Sequence, residues 1–221
     1  MAHPPLADRS GLAARYQRVM EPKALELLRR VFHLMNRGMV LLWRLGLGSW
    51  ADVWPHGFGR LLVIEHTGRK SGTRYRTPVN YTIVGEDLYC VAAFGKRTDW
   101  YRNLLTTPDA AVWLPDGRWE VSVADVSDDP HRVDLMRSVL IDSGFAAHLF
   151  GLHPHHISDE DMAEATATYC LMRIRPLRRR TVPDGPGDLA WIWVPIAAAT
   201  TCGFLRRRSR PGPIPASARR E

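Results

Sequence analysis

Apolar positions along this chain recur with two different periods. From residue 61 to 126 they come in short blocks or alternate with polar residues, the period of a strand. LLVIEH (61–66) reads as a buried strand and TPVNYTIVG (77–85) as an alternating one. GED (85–87) is a turn, and LYCVAAF (88–94) is a third strand. AAVWL (110–114), the turn PDG (115–117) and RWEVSVADV (118–126) form a hairpin, because Asp-Gly between two strands favours a tight reversal. TYCLMRIRP (168–176) closes the series. The helical period appears between these blocks. TDWYRNLLTTP (98–108) starts with Thr98 or Asp99 as N-cap, and SDDPHRVDLMRSVLIDSG (127–144) is a capped helix ending at Gly144. Asp128 and Asp129 sit at its start as caps. Strands joined by hairpins, with helices inserted late, predict a mainly antiparallel sheet or barrel with flanking helices, an α+β class.

Outside this block the pattern changes. Residues 1–59 comprise a leader and an amphipathic helix, on which Leu28, Val31, Phe32, Met35, Met39 and Leu42 share one face. Two readings of that face are open: packing on the domain, or contact with a membrane surface, with Trp43 and Trp50 at the interface. Residues 60–176 form the main domain. Residues 177–221 comprise a basic linker (177–188), an uncharged segment LAWIWVPIAAATTCGFL (189–205) and a disordered end. The uncharged segment has 17 residues, short of the roughly 20 a spanning helix needs. Its Trp pair and the following Arg cluster match membrane-interface preferences, so a membrane-associated tail and a short buried or disordered one are both open.

Charge narrows the choice of partners. The formal net charge is +7, which taken whole suggests nucleic acid or an anionic membrane. From Arg173 onward, however, 11 basic and 3 acidic residues give +8, and the first 172 residues balance to −1. The basicity belongs to the tail and lacks the interleaved aromatics of a nucleic-acid binder, so no nucleic-acid partner is expected. Cys90, Cys170 and Cys202 are scattered and odd in number, which gives no disulfide framework and suits a cytoplasmic setting.

Against a neutral body, HTGRKSGTRYRTPVNY (66–81) is a local event. Arg69, Lys70, Arg74 and Arg76 surround Gly68 and Gly72 in a β–β connection, with Ser71 and Thr77 as hydroxyl donors. Glycines permit close backbone approach, turn amides form anion nests, and guanidinium forks suit phosphate and carboxylate. The spacing is not that of a Walker loop. The bland alternative is a hairpin tip charged for solubility. A second constellation, AAFGKRTDWYRNL (92–104), runs from a glycine turn with Lys96 and Arg97 into a helix bearing Trp100, Tyr101 and Asn103. By helical spacing Trp100 and Leu104 share a face and Tyr101 leans away. His153, His155 and His156 lack the companions of a known metal motif, and no metal is expected. His148 or Tyr169 are candidate pocket or proton-donor residues, and no catalytic residue is singled out.

Together, strand–GRKSG–basic–TPV–strand and glycine turn–DWYRNL resemble the deazaflavin (F420)-dependent nitroreductase family, over about Leu61 to Pro176. The resemblance implies a split β-barrel of the flavin- and deazaflavin-binding type. It implies an oxidoreductase in which reduced coenzyme F420 donates a hydride to a small electron-poor acceptor: a quinone, nitro compound or enone. FMN is the alternative cofactor, and a non-catalytic, membrane-associated binding protein the alternative role. By resemblance, Arg69, Lys70, Ser71, Gly72, Arg74 and Arg76 hold the phosphate and oligoglutamate. Thr77, Pro78 and Val79 line the ring with Phe94, Gly95 and Lys96, and Trp100, Tyr101 and Asn103 close the site. The chain departs from the family in its AAFGKRTD turn and in FAAHLFGLHPHH, which replaces a Tyr-rich substrate segment.

Overall fold

Alternation of apolar and polar side chains drives the strands to close on themselves. In a computed structural model, which describes residues 34–48, 59–144 and 153–208, the six strands are β1 (Leu61–Thr67), β2 (Arg74–Val84), β3 (Asp87–Ala92), β4 (Ala110–Leu114), β5 (Gly117–Asp125) and β6 (Cys170–Arg179). They pair antiparallel in the order β1-β2-β3-β6-β5-β4, and β4 returns to β1 to shut the barrel. The expected antiparallel barrel is the observed one. Leu62, Ile64, Val79, Tyr81, Cys90, Val112, Met172 and Ile174 point inward as one core. Burial of each large aliphatic among them contributes on the order of 2 kcal/mol.

Among the described residues, helices flank the barrel at α1 (34–44), α2 (Asp99–Thr106), α3 (Arg132–Asp142), α4 (Asp159–Ala165) and α5 (Trp193–Arg208). Helix α2 plugs one end, with Trp100, Tyr101 and Leu104 inside the barrel core. Leu135, Met136, Val139 and Leu140 of α3 pack with Met162 of α4 against Leu171 on the outer wall. Asp129 accepts from the His131 amide at the turn before α3, so it stabilises the approach to the helix and does not cap it directly.

Three expectations change. Strand β2 starts at Arg74, three residues early, because Arg74, Tyr75 and Arg76 pair with Thr67, His66 and Glu65. Strand β6 continues to Arg179, into the expected linker, where Arg178 and Arg180 each meet Glu120. Helix α1 buries Trp43, with Met39 and Val40, against Val63 and Trp113; Met35 and Leu42 of the expected apolar face are exposed. The aromatic Trp113 on the barrel's outer wall selects the Trp43 face. Residues 28–32 of the expected stripe lie outside the described residues.

The segment after β6 is fastened down. The Arg44 guanidinium pairs with Asp188 and Asp184, and the Leu189 and Gly187 amides donate to the Arg44 and Trp43 carbonyls. Among the described residues, no helix is long and apolar enough to cross a membrane.

Candidate cofactor site

The β1–β2 loop is a closed turn. The Gly68 amide donates to Thr73 O and the Gly72 amide to Gly68 O, both at 2.8 Å. Gly72 has φ +65°, a conformation costly for any residue with a Cβ. The loop is pinned to the plug helix α2 through one side chain. Asn103, buried, accepts from the Arg69 amide at 3.1 Å and from its guanidinium at 2.9 Å, and Arg69 also pairs with Asp99 at 3.0 Å. The two motifs far apart in sequence therefore meet in space, as the resemblance requires.

That meeting redistributes the expected roles. Arg69 is committed to α2. Arg76 lies on the outer wall, where it pairs with the buried Glu65 at 3.2 Å, stacks 4.9 Å over Trp113 and donates to Asp184 O. Glu65 also takes Arg118 at 2.6 Å, so Arg76 is turned away from the loop by a carboxylate that needs two cations. Lys70, Arg74 and Arg97 are exposed and form no ion pair among the described residues. Ser71 is exposed, its hydroxyl 3.3 Å from the Tyr75 hydroxyl and accepting from the Thr73 amide. This set fits a polyanionic ligand: free cations beside a tight glycine turn, with hydroxyl donors at its edge.

The ring-lining set divides by the pleat. Successive strand residues face opposite ways, so Thr77 and Val79 point into the barrel and Pro78 points out. Val79 is a core residue and Thr77 is half-buried. At the β3–α2 turn Phe94 is 62% exposed, the free planar face of this region, and Lys96 is exposed beside it. Gly95 is buried with φ +59°, and a Cβ there would lie 2.1 Å from Thr168 O. Trp100 and Tyr101 do not flank an open slot. Both are buried, edge to face at 6.4 Å, and Tyr101 does not lean away as helical spacing suggested. The barrel end takes a face of the short helix broad enough to bury Trp100, Tyr101, Asn103 and Leu104, and leaves Arg102 and Leu105 exposed. The Tyr101 hydroxyl donates to Asp125 at 2.5 Å. Burial and that carboxylate together push the phenol up, so it stays protonated.

Sequence reasoning missed His66. It is buried, its ring stacks on Tyr75 at 5.8 Å, and its nitrogens contact Asn103 (3.1 Å) and Thr77 (3.0 Å). Burial pushes its pKa down to about 4, against a smaller opposing pull from Asp99, so the ring is neutral at physiological pH. The signal was present: His66 has the parity of Leu62 and Ile64, which face inward.

Residues 48–144 match the profile of the family described as F420H(2)-dependent quinone reductase. No curated protein matches the chain. Among solved structures, the chain is similar to a putative pyridoxamine 5'-phosphate oxidase from Listeria innocua (11% identity, 54% of this chain and 86% of that one, TM-score 0.37). It is also similar to HutZ, the heme storage protein from Vibrio cholerae (10% identity, 59% and 89%, TM-score 0.36). A third is a conserved hypothetical protein from Mycobacterium tuberculosis (14% identity, 61% and 89%, TM-score 0.38). These likenesses are distant, and the barrel assignment rests on the strand pairing itself. The loop, the plug helix and the turn between them all fall within residues 48–144, the span over which the chain is similar to the F420H(2)-dependent quinone reductase family.

Proposed function

We propose that this protein is an F420H2-dependent oxidoreductase acting on a small electron-poor acceptor, with a quinone as first candidate and nitro compounds and enones as others. The observation that supports it is the closed GRKSG turn, pinned to α2 through Asn103, which leaves Lys70 and Arg74 without an ion pair among the described residues. Lys70, Arg74, Ser71 and the Gly72 turn would hold the phosphate and glutamate carboxylates. Thr77, Phe94 and Lys96 would meet the ring, and Arg69 and Asn103 would hold the loop in place. When bound, the reduced cofactor supplies a hydride, and the protein orients it and limits access of water.

Titration of the full chain with F420 and, separately, FMN tests this by fluorescence quenching. F420 binding that weakens with salt and is lost in Lys70→Glu/Arg74→Glu supports the reading. Binding of FMN alone overturns the cofactor, and binding of neither overturns the enzyme.

A second observation favours placement at a membrane surface. Leu41 and Leu42 near the end of α1, and Trp191, Trp193, Val194 and Ile196 around the start of α5, are exposed. The two helices are joined there by the Trp193 indole donating to Leu45 O at 2.8 Å. Such a surface fits the headgroup boundary of a bilayer, where an apolar quinone would be met. Sedimentation with anionic vesicles that disappears in Trp191→Ser/Val194→Ser supports it. Equal sedimentation of both proteins overturns it.

A further inference from the structure

We propose that His66 is a positioning residue that fixes the Thr77 hydroxyl as a hydrogen-bond donor toward an acceptor atom of the bound cofactor. The inference rests on the F420 reading above and adds a residue and a polarity to it.

Polarity propagates along a chain of contacts. Asn103 Oδ1 receives two N–H groups of Arg69, at 3.1 and 2.9 Å. Its amide orientation is thereby set, because a flipped amide would turn its NH2 toward two donors. The Asn103 Nδ2–H group then faces His66 Nδ1 at 3.1 Å, and that nitrogen must accept. A neutral imidazole that accepts at Nδ1 carries its proton on Nε2. Nε2–H therefore donates to Thr77 Oγ1 at 3.0 Å. With its oxygen accepting from the ring, the hydroxyl of half-buried Thr77 keeps its own hydrogen to donate to a further acceptor. A protonated ring would set two donors against each other at Asn103, so the geometry admits only the neutral ring. The arrangement selects a ligand atom that accepts, such as a carbonyl, a deprotonated ring nitrogen or a phosphate oxygen, and disfavours a donor. The same Asn103 pins the anion loop, so loop position and ring polarity are set by one side chain.

Two measurements on the full chain test this. Long-range proton–nitrogen correlation of the 15N-labelled protein reads the tautomer, with His66 identified by its absence in His66→Gln. The Nε2–H form is expected at neutral pH, and the Nδ1–H form or a protonated ring overturns the proposal. Fluorescence titration with F420 then reads the coupling. Thr77→Val should weaken binding about tenfold, the loss of one ordinary hydrogen bond, and Thr77→Ser should keep it. His66→Leu should weaken binding as much as Thr77→Val, and the double variant no more than either. His66→Gln, which keeps an N–H at the Nε2 position, should restore binding to within about threefold of wild type. Additive losses, or His66→Leu binding as tightly as wild type, overturn it. If His66→Leu does not fold, the tautomer and the contrast between Thr77→Val and Thr77→Ser decide. A wild-type chain that fails to bind F420 overturns the parent reading and this one together, which the wild-type titration separates from failure of the coupling alone.

Discussion

Lowering the pH from 7 to 5 should destabilise the protein through His66, and His66→Gln should remove most of that effect. The ring is 4% exposed, and burial holds its pKa at about 4 against an ordinary 6.5. Between those values the unfolded chain binds a proton that the folded one refuses, so stability rises with pH across the window. The contribution is fully present above about pH 6.5 and is lost progressively as pH falls toward 4. The whole gap corresponds to about 3 kcal/mol, of which about 2 kcal/mol is gone by pH 5. Urea unfolding at both pH values measures it, since a loss of that size moves the midpoint by about 1 M. Carboxylates also titrate near pH 5. Asp87, for example, is held below its ordinary range by Arg175. The informative quantity is therefore the wild-type change minus the His66→Gln change. Equal pH dependence in the two proteins would refute the reasoning, because it would mean that His66 ionises in the folded state as it does in the unfolded one.

Other expectations follow from the same contacts. Glu65→Gln leaves the Arg76 and Arg118 guanidiniums facing one another without their carboxylate, and thermal or urea unfolding should show a loss of about 3 kcal/mol. Gly95→Ala forces a Cβ onto Thr168 O at a positive φ and should cost at least ~2 kcal/mol by the same assays. Arg76→Gln and Lys70→Glu should separate cleanly. The first lowers the unfolding midpoint and leaves F420 affinity nearly intact; the second weakens F420 about tenfold at low salt and leaves the midpoint unchanged.

Much of the barrel was legible because its signal is local. AAVWL is β4 residue for residue, and the hairpin reverses at Pro115–Asp116 within the expected PDG, with Leu114 and Gly117 paired across the turn. What escaped is what depends on partners distant in sequence. Nothing in RYR announces a strand until Glu65 and His66 lie across from it. The 177–188 segment has a linker's composition, yet Arg44 fastens Asp188 to a helix 144 residues away in sequence. In the site, the basic glycine loop and the DWYRNL helix were legible as types. Their contact through Asn103 was not, nor was the burial of Tyr101, because a helix that plugs a barrel end buries more than one stripe. The pairing of two of the four loop cations was hidden for the same reason: Arg69 and Arg76 each find a carboxylate that adjacent sequence does not show.

The most direct test of the central claim is an F420 titration of the full chain at low and high salt, beside the same titration of Lys70→Glu/Arg74→Glu. The account predicts salt-sensitive binding in the wild type and its loss in the variant. Salt-insensitive binding of equal strength in both proteins would contradict it.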